Sequence, residues 1–204
     1  APTNFSVGTG ATLTLSGNLN AHGFTLAGGT VSGTGTLHGT MTWESGMLNQ
    51  ATLTLSEGAV LTLAGDGTKY FFSSTLNNAG TVIWSDAGRI EGQPDEGYPP
   101  SAIHNLGSGT FEVRGNGFLS NYSWSPYGSL TFDNAGMFRK TTGSGDTQIS
   151  VAFANTGTVE VGSSLVSFSH SYSQSAGETS LNGGQIIAAT PIVINGGRFS
   201  GIGT

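Results

Sequence analysis

The 204-residue chain contains no cysteine, only six prolines, and few charges: six Lys and Arg against twelve Asp and Glu, a net charge of −6. The absence of cysteine removes both a disulfide framework and thiol chemistry. The scarcity of cations removes the basic footprint that nucleic acid or an anionic membrane surface requires, so no nucleic-acid partner is expected. No apolar run approaches the ~20 residues that a spanning helix needs, so no membrane insertion is expected either. Long stretches rich in Ala, Glu, Lys and Leu are also missing, which argues against helix. What remains is glycine, 34 residues of it, with abundant Ser, Thr and Asn. Glycine and asparagine supply the backbone angles that turns demand, and the composition is that of an all-β protein with many turns. Scarce lysine beside abundant Ser and Thr points to a secreted or cell-surface setting.

The strongest signal is periodic. An apolar residue, a spacer, an asparagine and then a strand-opening glycine recur as Leu76-Asn77-Asn78-Ala79-Gly80, as Ile103-His104-Asn105 leading to Gly109, as Phe132-Asp133-Asn134-Ala135-Gly136 and as Phe153-Ala154-Asn155-Thr156-Gly157. The four glycines lie 29, 27 and 21 residues apart, and further steps of 20 reach Gly177 and Gly197. A coil of about twenty residues that tolerates insertions predicts a β-solenoid. Length and repeat together predict one domain over residues 1–204, a β-helix of about ten coils.

Each strand after such a glycine alternates as one buried face requires. Val82 and Trp84, Phe111 and Val113, and Val159 and Val161 fall in the inward columns, with Phe138 beside them and Lys140 as the one clear exception. Glu112, Arg139 and Glu160 fall in the outward column. Parallel stacking at ~4.8 Å turns that column into a ladder of alternating charge. The asparagine row is expected to be structural, each amide bonding its own turn and its neighbours. Trp84 is expected in the core, the facing of Trp43 is left open, and Trp124 lies in a loop-like stretch.

The amino-terminal third repeats more loosely. Ala11-Thr12-Leu13-Thr14-Leu15-Ser16 returns forty residues later as Ala51-Thr52-Leu53-Thr54-Leu55-Ser56, which suggests a spacing of two coils. Gly28–Thr36 returns as Gly196–Thr204 with six of nine positions identical. A chain that stops in a unit already used, without a recognisable polar cap, predicts a piece of a longer array flanked by repeats of the same kind.

No catalytic constellation stands out. Asp95 and Glu96 are adjacent rather than opposed, and the other acids are scattered, where acid–base work needs a pair aimed at one point. His22, His38, His104 and His170 lack metal-ligand spacing, no phosphate loop or nucleophile elbow occurs, and no metal or cofactor is expected. Two segments do break the strand periodicity: Glu91–Pro100 and Asn121–Gly128. Each begins eleven residues or so past its glycine, Gly80 or Gly109, so both should emerge from one side of adjacent coils. Loops on a rigid scaffold concentrate binding residues. Asp95, Glu96, Tyr98, Trp124 and Tyr127 are therefore the candidate ligand surface, with aromatic rings to stack on a sugar and carboxylates to accept its hydroxyls.

The segment Tyr172–Gly184, with Asn195-Gly196-Gly197 and Ser200–Thr204, resembles repeats of autotransporter passenger domains. The Asn-x-Gly-Thr-Val units resemble those of very large secreted bacterial surface proteins and adhesins. The resemblance implies a right-handed parallel β-helix that serves as stalk, adhesive surface or carrier, and it brings no catalytic residues with it. The expected function is a non-catalytic structural and adhesive module, with polysaccharide or host and cell-surface glycans as candidate partners. The alternatives are a carbohydrate-binding module of a polysaccharide-active protein, or a polysaccharide lyase or hydrolase of the same fold class.

Overall fold

A computed structural model describes residues 4–93, 96–122 and 130–203. Among the described residues there is no helix. The chain winds into an all-β parallel solenoid of about nine turns. At the spacing of parallel strands the stack is roughly 40 Å long. The sequence suggests about ten turns; the shortfall arises because two central coils take up 29 and 27 residues between their glycines.

Each turn contributes strands to three parallel stacks. The first face stacks residues 46–49, Lys69–Phe72, Arg89–Gln93, Phe118–Asn121, Thr147–Ser150, Leu165–Phe168 and Gln185–Ala188. The second stacks residues 52–55, Thr75–Asn78, Ala102–Asn105, Thr131–Asn134, Ala152–Asn155, Tyr172–Gln174 and Ile192–Ile194. The third runs from residues 40–43 and Val60–Leu63 through Thr81–Trp84, Thr110–Val113, Met137–Lys140 and Thr158–Val161 to Glu178–Asn182 and Arg198–Ile202. In the tight amino-terminal coils the ladder is continuous from Thr12 to Leu55. There Thr14 and Ser32 hydroxyls meet at 3.2 Å, eighteen residues apart, and the Ser56 amide donates to the Leu37 carbonyl at 3.1 Å. These coils use about eighteen residues, so the segments 11–16 and 51–56 are not two coils apart but out of phase: Leu13 is half-buried where Leu53 is fully buried.

The register on the third face is the one the repeat implies. Phe138 pairs with Phe111 below and Val159 above, and Arg139 pairs with Glu112 and Glu160. Phe111, Phe138 and Val159 are completely buried. Rings from two faces fill the interior together. Phe132, Phe153 and Tyr172 stack with centroids 4.8 and 5.5 Å apart, and Phe138 meets Phe132 edge-on at 5.6 Å.

The inner edge of the second face is polar, and every group in it is used. Asn78 Nδ2 donates to Asn105 Oδ1 at 2.7 Å, Asn105 to Asn134 at 2.7 Å, and Asn134 to Asn155 at 2.8 Å. Asn155 donates to Gln174 Oε1 at 3.0 Å, and Gln174 Nε2 reaches the Gly196 carbonyl at 3.1 Å. All five side chains are buried. The structural reading of the asparagines is correct, and Gln174 extends their row by a coil. Within a turn, Asn78 Oδ1 accepts the Gly80 amide and Asn155 Oδ1 the Gly157 amide, both at 3.1 Å. That Asx-type bond explains the spacing of Asn to Gly in the repeat. The glycine itself is demanded by close approach: a Cβ on Gly136 would lie 2.2 Å from the carbonyl oxygens of Gly109 and Leu106, one coil below.

Lys140 is not an exception to the inward column. It shares register with Val113 and Val161 and is fully buried. Its ammonium donates to the Gly115 carbonyl at 2.8 Å and to Thr147 Oγ1 at 2.9 Å. Lys69 does the same at the corner between third and first faces, donating to the carbonyls of Ala64, Gly65 and Gly67 at 2.6, 2.9 and 2.8 Å. A corner turns its carbonyls out of the ladders, and a buried ammonium with three donors satisfies several at once. Burial pushes both lysines below their ordinary value, opposed at Lys69 by Asp86, Asp66 and Glu44 and at Lys140 by Asp146. Trp84 is in the core as expected, its Nε1 donating to the Gly88 carbonyl at 3.0 Å, and Trp43 is buried in the same column two coils below.

Candidate functional site

The strands on either side of the two irregular segments are paired. Arg89–Gln93 pairs with Phe118–Asn121, placing Gly92 beside Asn121, and the Tyr122 amide donates to the Gly92 carbonyl at 2.8 Å. Beyond the segments, Ala102 pairs with Thr131. The strands before both segments lie on the first face and those after them on the second, at the same corner of adjacent coils. The crossing is held at its base by Asn121, whose Oδ1 accepts the Leu130 amide at 2.6 Å. Gly92 leaves room for this: a Cβ there would sit 2.5 Å from Leu130 Cβ and 2.8 Å from Asn121 Oδ1.

Of the five candidate ligand residues, Asp95, Trp124 and Tyr127 lie outside the described residues. Glu96 and Tyr98 are exposed in a turn between the first and second faces. The Tyr98 ring contacts Phe72, on the coil below, with centroids 5.7 Å apart.

Just below this corner, on the outer surface of the first face, lies a concavity of about 260 Å³. Ile90, Leu119 and Ile149 point inward and are buried, so the residues between them point out. Arg89 lies flat across the neighbouring coil with its guanidinium carbon 4.6 Å from the Phe118 ring centroid. Its Nη1 donates to Glu91 Oε2 at 2.9 Å. Glu91 is only 5% exposed and pairs in register with Ser120, itself 4% exposed. The Ser120 hydroxyl is buried and has no hydrogen-bond partner among the described residues. Tyr122, 47% exposed, stands at the rim. Glu91 and Tyr122 fall at the starts of the two irregular segments, but Arg89, Phe118 and Ser120 are inconspicuous in the sequence. The signal that exists is weak: an outward Arg-x-Glu and an outward Phe-x-Ser, brought side by side by coil stacking.

A second charged cluster lies on the third face. Glu112 accepts from Arg114 at 2.9 and 3.2 Å and from Arg139 at 2.8 Å. Although outward in register, Glu112 is covered by these guanidinium groups and only 6% exposed. Arg114, with Arg139 on the next coil, holds its carboxyl below the usual value against the effect of burial. This arrangement is a closed ion-pair network. Among the described residues no group of three His, Asp or Glu side chains gathers where a metal could sit.

Comparison with protein families, with curated proteins and with solved structures finds no match to this chain.

Proposed function

We propose that this chain is a non-catalytic structural and adhesive module of a secreted or cell-surface protein, of the kind found in autotransporter passengers and large bacterial adhesins. The observation that carries the proposal is the buried amide ladder from Asn78 to Gln174. Polar side chains that recur once per coil are spent on bonding each coil to the next, in an interior of low dielectric where such bonds are strong and mutually polarised. The result is a rod stiff along its axis, whose outer faces are free to vary. The residues best placed for chemistry, Glu112 and the two buried lysines, are committed to ion pairs and corner carbonyls. Such a scaffold suits display and contact better than turnover.

Beads coated with the protein test this reading when washed under flow over immobilised mucin glycoprotein and over epithelial cell layers. They are expected to be retained above beads carrying an unrelated protein, and polysaccharides incubated with the protein should gain no new reducing or unsaturated ends. Retention no better than the control, or release of such ends, refutes the proposal.

A further inference from the structure

We infer that the outer surface of the first face binds a neutral, extended glycan, with one sugar ring seated in the concavity formed by Arg89, Glu91, Phe118, Ser120 and Tyr122. This rests on the reading of the module as a surface that binds without transforming, and it assigns that surface to a place and a ligand class.

The first support is Ser120. Its hydroxyl is a donor and an acceptor, it points out of the sheet, and it is buried without a partner among the described residues. A buried polar group left unpaired is costly and rare, and it calls for an explanation. A ligand hydroxyl that enters the concavity supplies the missing bond. The second support is charge. Arg89 and Glu91 neutralise one another at 2.9 Å, so the floor offers donors and acceptors without net charge. The almost buried Glu91 carboxylate opposes an anionic ligand, and the Arg89 guanidinium opposes a cationic one. Closely spaced donors and acceptors beside an exposed tyrosine ring match a pyranose, which has hydroxyls around its edge and apolar C–H faces.

The third support indicates a chain rather than a free monosaccharide. On the same face, toward the amino terminus, lies another concavity of about 320 Å³ lined by Ser45, Gly46, Met47, Thr68 and Tyr70, among others. Tyr70 is the register neighbour of Glu91. The two hollows therefore follow one another along the solenoid axis, and the Thr147–Ser150 strand carries the surface one coil further, with Ser150 lining the first of them. From residues 46–49 to 147–150 this is four coil steps, roughly 20 Å. A short stretch of glycan laid along the axis spans that distance.

Native electrophoresis through gels containing hydroxyethylcellulose, galactomannan or polygalacturonate tests the assignment on the whole chain. Wild-type protein should be retarded in at least one of the two neutral gels and not by polygalacturonate alone. Ser120→Ala and Tyr122→Ala should each raise the dissociation constant at least ~5-fold, as loss of one hydrogen bond or one stacking ring implies. Asn77→Ala, on another face, should leave it unchanged. Ser120→Ala should melt at the same temperature as wild type or higher, because it removes an unsatisfied hydroxyl; a purely structural serine gives no such pairing of weaker binding with undiminished stability. Migration unaffected by either neutral polysaccharide, retardation by polygalacturonate only, or binding that survives both groove substitutions overturns the inference. The adhesive reading fails separately: beads carrying the groove variants are still retained if another face makes the contact, and the gel result stands or falls without them.

Discussion

Asn77 and Asn78 are neighbours of the same type on one strand, and the fold predicts opposite fates for the column each belongs to. Asn105 stands in the middle of the inward column. It accepts from Asn78 at 2.7 Å, donates to Asn134 at 2.7 Å and donates to the Met137 carbonyl at 3.0 Å. Asn105→Ala removes all three bonds. Asn78 Nδ2 keeps the Thr110 carbonyl as an acceptor at 3.0 Å, but Asn134 Oδ1 loses its donor inside the core. Three buried bonds at about 1 kcal/mol each, with about 1–3 kcal/mol for an acceptor left unpaired, give a loss of about 4–6 kcal/mol. Asn77 faces out and makes one long contact, 3.5 Å to Thr54 Oγ1, so Asn77→Ala should cost less than about 0.5 kcal/mol. Urea unfolding followed by circular dichroism and by tryptophan fluorescence, which reports the buried Trp43 and Trp84, measures both. Because a solenoid can unravel coil by coil, the two probes must be compared before a single free energy is assigned. If the two substitutions shift the midpoint equally, the ladder contributes nothing that an outward asparagine does not, and the reasoning is wrong.

Phe138→Ala should cost about 3–5 kcal/mol in the same assay, because the ring touches Phe111, Phe132 and Phe153 in a fully buried stack and its loss leaves a cavity; a cost below about 1 kcal/mol would show that the stack is loosely packed. Glu112→Gln should cost about 1–2 kcal/mol near neutral pH, since the carboxylate bonds two arginines. The folded carboxyl titrates below its ordinary 4.5, so its contribution is complete above that value and is lost as pH falls through the lower folded one. The difference between wild type and variant should therefore shrink in acid, and a difference that is constant from about pH 7 to about pH 2.5 would contradict the ion-pair account.

The parts of this fold legible in the sequence are those that each coil repeats in the same surroundings. A buried amide in a turn must bond to something, and the coil above offers the same amide, so the asparagine spacing carried the register with it. The inward columns were legible for the same reason, as was the Glu112, Arg139, Glu160 ladder. What misled was residue type taken apart from position. Lys140 looked like a break in an apolar column because lysine is rarely buried without a partner, yet the corner beside it supplies carbonyls that no strand pattern announces. Glu112 was outward in the pattern and correctly so, but its exposure depended on Arg114 two residues on and Arg139 a coil away. The duplicated segment at residues 11–16 and 51–56 misled differently, because similar strings can occupy different phases of a coil. By contrast, the Gly33–Gly35 and Gly201–Gly203 pairs of the longer duplication do share an environment. Cβ atoms on Gly35 and Gly203 would each lie 2.9 Å from the Cβ of a leucine, Leu15 or Leu181, on the preceding coil.

The groove on the first face was harder still to see, for a reason built into solenoids. A turn-forming or core residue is constrained by neighbours close in sequence, whereas an outer groove is assembled across coils from residues some thirty places apart, such as Arg89 and Phe118. Along either strand these residues alternate with Ile90 and Leu119 and read as ordinary solvent-facing positions. Irregular, proline-bearing segments attract attention because they interrupt the pattern. Yet the strands leading into them hold side chains in fixed rows at the spacing of the coil. An insertion at one corner lengthens a coil without moving the ladder on either side of it, as the pairings of Gly92 with Asn121 and of Ala102 with Thr131 show. A groove on the regular face and a loop at the corner beside it therefore leave different traces: the first follows from the register of the coils, the second from a break in the strand pattern.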